Sequence, residues 1–356
     1  MIAPFSMVAP LVGADGYGQS AERLILAAHD LGADVQFVPY DWQERKHADP
    51  RLLSLEVREI DIGLRDLVVI YFLPYAVSRF APLAKRAVLM TMFETDSIPQ
   101  AWISSCNRAS AVVVPSEHCR DAFQPWLDVP VEVAPLGVDA DFYKPIVRVE
   151  RDPFTFLMAG LLHYRKGAEF AVRAFREEFN GNDDVRLVLK TRRHFLDVGE
   201  QSIQDGRIRI IDEDYTREQM RALYRDADCF LAPSRGEASG LTPREAMATG
   251  LPTILTDWGG LAEIADDRYA FPVEVEGLEP APPTCSSYGA GVAGNLPIGN
   301  FARPSVSHLR QQMRSVYEHR KAASARGLRG AQWMARDWSW KVCAQRWLDV
   351  LERLNA

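Results

Sequence analysis

The sequence predicts an α/β protein built as two tandem doubly wound domains, and three observations carry that expectation. The chain has 356 residues, and at roughly 150 residues per domain that suggests about two domains. Short apolar runs alternate with helical patterns through both halves, as parallel strands buried on two faces do. The alternation breaks once, at Pro135-Leu-Gly-Val-Asp-Ala-Asp-Phe-Tyr-Lys-Pro145 and the polar stretch Arg148–Asp152, and then restarts. The expected division is 1–145 with a returning helix at about 335–356, and 146–334.

In the first half, residues 19–31 place Ala21, Leu24, Ile25, Ala28 and Leu31 on one helical face. Strands are expected after it at Val35–Val38, Leu67–Phe72, Ala87–Met92, Ala111–Val114 and Val131–Ala134. Ser116 marks a helix start as N-cap between the last two. In the second half the order is strand Phe154–Ala159, helix Ala168–Phe179, then strands Val185–Lys190 and Arg207–Ile211. Helix Arg217–Asp226 follows, opened by a capping-box pattern at Thr216 and Gln219. Strand Cys229–Ala232, helix Pro243–Thr249, strand Thr253–Thr256 and a helix from about Leu261 complete the alternation. Residues 277–304, rich in Pro, Gly and Ser, read as a long loop. Two closing helices are expected, at about 305–328 and 330–355.

Composition narrows the function. Hydrophobic residues make 47% of the chain and charged residues 25%, an ordinary globular balance. A formal charge of −7 makes a poor generic binder of nucleic acid or anionic membrane. The basic clusters Arg173/Arg176, Arg192/Arg193 and Arg217/Arg221/Arg225 are more simply solvated faces. Five scattered cysteines without a CxxC pair argue against a disulfide framework or zinc, and favour a reducing cytoplasm. The first residues lack the charged start of a secretory signal, and no apolar run reaches the ~18 residues of a membrane span. Trp102, Trp126, Trp333, Trp338, Trp340 and Trp347 could stack on sugars or bases, but are expected to be core.

The chemistry concentrates in Ser234-Arg-Gly-Glu237-Ala-Ser-Gly240-Leu-Thr-Pro-Arg-Glu245-Ala-Met-Ala-Thr-Gly250. Two glutamates stand eight positions apart, in a loop after a buried strand and in the helix behind it. Ligands of open α/β sheets bind at such strand ends, and a helix N-terminus offers N–H groups to phosphate. The carboxylates would accept from sugar or ribose hydroxyls. Glu245 has a second reading, because Thr242-Pro-Arg-Glu245 is itself a capping box.

A loop Glu, seven residues, and a Glu leading Ala-Met-Ala-Thr-Gly resembles the E-x7-E signature of retaining glycosyltransferases of family 4 (glycosyl transferases group 1). Four other segments resemble that family in order. They are Pro135-x-Gly-Val-Asp139-x-x-Phe142, Leu157-Met-Ala-Gly160 with Arg165-Lys166-Gly167, Asp257-Trp-Gly259-Gly260, and Met92-Phe-Glu94-Thr-Asp96-x-x-Pro99. The resemblance implies the GT-B fold, two Rossmann-like domains facing across a cleft, with the C-terminal helix crossing back to the first. It implies that Glu237 holds donor-sugar hydroxyls, that Glu245 holds the nucleotide ribose, and that Arg165 and Lys166 contact the diphosphate. The backbone N–H groups of Ser239, Gly240 and Leu241 are added candidates for the β-phosphate. The glycine loop with Gly16 and Gly18 would face donor phosphates and acceptor. It is not G-x-G-x-x-G, so NAD is disfavoured.

Many members of that family carry Arg after the glycine that is Gly160 here, where this chain has Leu161; Lys190 or Arg165 could supply the charge. Many carry His where this chain has Phe93 followed by Glu94, and Glu94 could orient a sugar. His163 lies in the phosphate loop, whereas His118, in a helix's first turn, is more often structural. No catalytic base is needed, since a leaving phosphate can take the acceptor's proton.

The expected function is retaining transfer of a sugar from a nucleoside diphosphate, of UDP or GDP type, to an unidentified acceptor, without metal or other cofactor. The alternatives are an epimerase or phosphorylase on the same fold, a non-catalytic nucleotide-sugar-binding protein, and a glycosyltransferase acting on nucleic acid.

Overall fold

The computed structural model describes residues 3–12, 16–44, 48–57, 63–148, 152–179, 181, 183–192, 205–282 and 298–355. They fall into two compact units. The first comprises the chain up to Gly137, Ile298–Gly299 and Asp337 onward; the second begins at Val138, re-enters at Asn300 and runs to Arg336.

The first unit holds a parallel sheet of β1 (Phe5–Val12), β2 (Val35–Glu44), β3 (Leu67–Tyr71), β4 (Arg86–Met90), β5 (Ala111–Val114) and β6 (Val131–Val133). Its order is β2-β1-β3-β4-β5-β6. Every residue of β3 and of β5 is buried, which is why these runs lack polar alternation. The helices are α1 (Gly16–Asp30), α2 (Pro50–Ser54), α3 (Val77–Phe80), α4 (Gln100–Cys106) and α5 (Glu117–Phe123). Ser116 caps α5 as expected, accepting from the Cys119 amide at 3.3 Å.

The second unit holds β7 (Phe154–Ala159), β8 (Val185–Thr191), β9 (Ile208–Asp212), β10 (Cys229–Ala232), β11 (Thr253–Thr256) and β12 (Phe271–Val273). Their order is β12-β11-β10-β7-β8-β9, so the winding reverses between β7 and β10. Helices α6 (Ala168–Glu178), α7 (Arg217–Arg225) and α8 (Leu241–Ala248) connect them. The capping box of α7 forms with both reciprocal bonds, Thr216 with Gln219. Phe156, Phe175, Phe179, Leu187 and Leu309 are among its core residues.

Where the sequence reading and the structure part, each difference has a local reason. The chain closes in three helices rather than two: α9 (Val306–Glu318), α10 (Arg320–Asp337) and α11 (Trp340–Asn355). Non-helical backbone at His319 ends α9, and Ser339 restarts the chain as α11 through bonds to the Val342 and Cys343 amides. The helix expected from Leu261 is a 3₁₀ run, Gly259–Ile264. The loop expected at 277–304 has two antiparallel strands at its ends, β13 (Val275–Pro280) and β14 (Asn300–Pro304). Burial in β13 alternates in period 2 beneath a Pro/Gly composition that hid it. Residues 283–297, Gly13-Ala14-Asp15 and Arg193 lie outside the described residues.

The tryptophans divide. Trp347 of α11 is fully buried, edge-on to Phe5 at 5.4 Å, which seats the last helix on the first unit. Trp102 and Trp338 are buried, and Trp333 stacks on Tyr269 at 4.5 Å. Trp126 departs from the core expectation: it is 51% exposed, because it ends a one-turn 3₁₀ helix at the surface. The basic clusters are paired with acids, Arg173 with Glu177, Arg192 with Asp214, Arg217 with Asp139 and Arg225 with Asp226.

Candidate active site

A doubly wound sheet leaves a crevice at the carboxyl ends of the two strands where its winding reverses, since the following connections diverge to opposite faces. In the second unit those strands are β7 and β10. The segment after β7 runs through Gly160 and His163 into a single 3₁₀ turn, Tyr164–Lys166. The segment after β10 is Pro233–Gly240, ending at α8. The topology therefore brings the basic turn and the glutamate loop together.

Glu237 is the centre of the cluster. Its Oε1 lies 2.5 Å from Lys166 Nζ and its Oε2 3.0 Å from Arg165 Nη1, with all three side chains largely buried. Arg165 also donates to the Gly236 carbonyl at 2.7 Å. The cations assigned to phosphate thus hold the carboxylate assigned to sugar. Burial alone would raise the Glu237 carboxyl, but Lys166 and Arg165 outweigh it and hold it down to about 2. Burial, with Arg165 and Lys166 behind it, pushes the His163 imidazole down to about 3, so this ring is neutral at physiological pH. Its buried Nδ1 has no hydrogen-bond partner among the described residues, and neither does the buried Ser239 Oγ.

Helix α8 starts earlier than the Thr242 capping box requires. Gly240, at φ +77°, is its N-cap with no side-chain cap, and Glu245 falls at the fifth helical position. The capping reading of Glu245 is therefore wrong: a glycine able to enter the left-handed region starts the helix two residues sooner. The first-turn amides have no intrahelical acceptor and stand at the positive end of the helix. Glu245 accepts from Tyr224 Oη at 2.8 Å. Burial raises its carboxyl to about 7, against the Tyr224 bond and the Arg217 charge.

The two glutamates give opposite pH dependences. Glu237, lowered from 4.5, contributes stability that is present above pH 4.5 and lost as pH falls toward 2. Glu245, raised from 4.5 to about 7, costs stability as pH rises through that window. The cost is on the order of 3 kcal/mol once the group is ionised. Glu245→Gln should therefore melt with wild type at pH 5 and above it at pH 8. Equal differences at both pH values would show that Glu245 ionises as an ordinary carboxyl.

The other expected residues are more scattered. Lys190, the last but one residue of β8, gives its ammonium to the carbonyls of Thr191 (2.8 Å) and Glu213 (2.6 Å), over the Tyr215 ring. Burial lowers its pKa. Gly16 and Gly18 form the first turn of α1 in the first unit. Glu94 is buried just past β4 in that unit, beside Thr95, whose Oγ1 donates to the Ser97 carbonyl at 2.7 Å. His118 is in the first turn of α5, and burial lowers its pKa.

Sequence reasoning missed what holds the cluster. Arg235 donates to the Tyr164 carbonyl at 2.8 Å and to Glu279 of β13 at 2.7 Å, with its guanidinium 3.8 Å from the Tyr164 ring centre. Ser234 Oγ lies 3.0 Å from the Arg165 carbonyl and 3.3 Å from Glu237 Oε1. Gly260 presses on the glutamate loop. Its amide donates to the Glu237 carbonyl at 2.6 Å, and a Cβ there would stand 2.1 Å from the Ala238 carbonyl oxygen. The Gly259-Gly260 pair was the one visible signal, since close backbone approach is a reason for glycine.

An uncharacterized glycosyltransferase of Methanocaldococcus jannaschii is 27% identical over 184 residues, 49% of this chain and 44% of that protein. A D-inositol 3-phosphate glycosyltransferase of Paenarthrobacter aurescens is 28% identical over 165 residues, 40% of this chain and 39% of that protein. The match thus spans less than half the length of each relative. Among solved structures, a sucrose-phosphate synthase from Thermosynechococcus elongatus shares the fold at TM-score 0.71, 14% identity and 99% coverage of both chains. Anabaena HepE, in complex with UDP and glucose, shares it at TM-score 0.71 and 13% identity, over 98% of this chain and 100% of that one. These are GT-B glycosyltransferase folds of two Rossmann-like units. The glycosyl transferases group 1 family profile matches residues 153–279, which include β7, the basic turn, the glutamate loop and α8. The likeness to that family thus lies in the part of the second unit that holds the candidate site.

Proposed function

We propose that the chain is a retaining glycosyltransferase that moves a sugar from a nucleoside diphosphate to an acceptor hydroxyl. The observation that carries this reading is the switch-point cluster of the second unit, where Arg165, Lys166 and Glu237 meet ahead of helix α8. Two cations and a helix N-terminus suit a diphosphate, and buried carboxylates suit hydroxyls. A relative that acts on inositol phosphate and a structural neighbour holding UDP and glucose support the same chemistry.

In the proposed reaction the bond from the sugar's anomeric carbon to the β-phosphate oxygen breaks, and its electron pair leaves with the diphosphate. The acceptor oxygen bonds that carbon on the same face, and its proton passes to the departing phosphate. Negative charge grows where Arg165 and Lys166 stand, so both bind the departing group more strongly than the intact donor. Glu237 takes donor-sugar hydroxyls, and Glu245 takes the ribose. In that reading donor binding draws Lys166 onto phosphate and leaves Glu237 Oε1 for the sugar.

The test is incubation with UDP- and GDP-sugars and a panel of hydroxyl acceptors, reading diphosphate release and the anomeric configuration of the product by NMR. Inverted product would overturn the retaining mechanism, and turnover of the donor without acceptor would favour an epimerase. Among the described residues no group of three His, Cys, Asp or Glu side chains can hold a metal ion. Transfer is expected to survive EDTA; complete loss restored by magnesium or manganese would place a metal in the reaction.

A further inference from the structure

The segment between the two sheets contributes to the second unit in a way its sequence did not show. From Val138 onward it is part of that unit. Asp139 turns the chain, accepting from the Phe142 amide on its side chain at 3.1 Å and from the Tyr143 amide on its carbonyl at 2.8 Å. Its Oδ2 pairs with Arg217 Nη2 of α7 at 2.5 Å. The Arg217 guanidinium lies 4.2 Å from the centre of the Phe142 ring. Tyr143 is buried and edge-on to Tyr224 at 5.9 Å, and Tyr224, wholly buried, donates to Glu245 at 2.8 Å. The chain of contacts runs from Asp139 through Arg217 and the two phenols to the carboxylate.

We propose that Asp139, Arg217 and Tyr143 are positioning residues for Glu245, so that the connecting segment, with α7, sets the orientation and charge of the carboxylate that receives the nucleotide ribose. The proposal rests on the ribose reading of Glu245. Four groups bear on that carboxylate: Tyr224 and Arg217 from α7, Tyr143 and Asp139 from the connecting segment. Burial and the Glu245 charge raise both phenols far above neutrality, so they remain donors. Arg217 and the phenols favour the ionised carboxylate, and Asp139 opposes it directly while holding Arg217 in place. Losing Tyr143 or freeing Arg217 should therefore leave Glu245 protonated to a higher pH. A protonated carboxyl accepts ribose hydroxyls less well.

The experiment is titration calorimetry from pH 6 to pH 8.5 with UDP, GDP and ADP, each beside its 2′-deoxy analogue. The paired ligands carry the same phosphates, so their affinity ratio removes phosphate titration and reports the ribose alone. In wild type the ribose preference should rise with pH through a midpoint near 7. Tyr143→Phe should lower that preference at pH 7 by about threefold to tenfold, the scale of one ordinary hydrogen bond, and move the midpoint up. Arg217→Gln should do the same in a second background if Tyr143→Phe folds poorly, since it removes the charge that favours the ionised carboxylate. A folded Tyr143→Phe with unchanged preference and midpoint overturns the proposal. So does equal weakening of ribo- and deoxyribonucleotide, which is a structural effect. A ribose preference that survives Glu245→Gln overturns the ribose reading itself, and binding of no nucleoside diphosphate overturns the proposed function.

Discussion

Lys166→Ala should lower kcat by about 10²-fold while changing the donor KM little, by analogy with removal of one preorganised donor to a developing oxyanion. In the proposed reaction the lysine meets growing charge only as the glycosidic bond breaks, so its binding energy would be realised in the transition state. The variant should fold, because Glu237 keeps Arg165 at 3.0 Å and Ser234 at 3.3 Å when the ammonium goes. Steady-state kinetics with donor varied, beside a melting curve, separates the outcomes. An effect on KM alone would mean uniform binding without a catalytic role. No effect on either would remove the diphosphate from this turn.

Gly260→Ala should be comparably severe although residue 260 carries no chemistry. The new Cβ would lie 2.1 Å from the Ala238 carbonyl oxygen and 2.9 Å from that of Glu237, both backbone atoms. The glutamate loop must then move by about an ångström, a displacement that can cost roughly 10²-fold in rate. Overpacking of this kind also costs about 1–3 kcal/mol of stability. Gly206→Ala is the control, since a Cβ there meets nothing within 4 Å. Near-wild-type transfer by Gly260→Ala would show that the reaction does not depend on where this loop places Glu237.

These two variants also mark what was legible in the sequence. Strands β3, β5, β10 and β11 were visible because every residue in them is buried, and burial on both faces writes itself as an unbroken apolar run. Caps at Ser116 and Thr216 were visible because a cap is a local bond between near neighbours. Lys166 and Glu237 could be named from type and spacing, but not their contact, which joins residues 71 positions apart. Arg235 was invisible for the same reason: nothing local distinguishes a surface arginine from one stacked on Tyr164 and bonded to Glu279. The Thr242 box misled because the pattern is local while the start of α8 is decided by Gly240 and the strand before it. Strands β13 and β14 escaped because their antiparallel pairing spans a long insertion and only β13 alternates in burial.

The seating of α11 on the first unit has a consequence for biosynthesis. Phe5 belongs to β1, while Trp347, which meets it edge-on at 5.4 Å, belongs to α11, far later in the chain. Between Gly137, where the first unit's main segment ends, and Trp347 the ribosome adds the whole second unit. At roughly 5–20 residues per second, that interval lasts about 10–40 s. Until it ends the first sheet lacks the helix that covers Phe5, and by then every strand of the second unit's sheet has been made. The first unit is therefore completed only by a segment that follows the whole of the second unit in the chain.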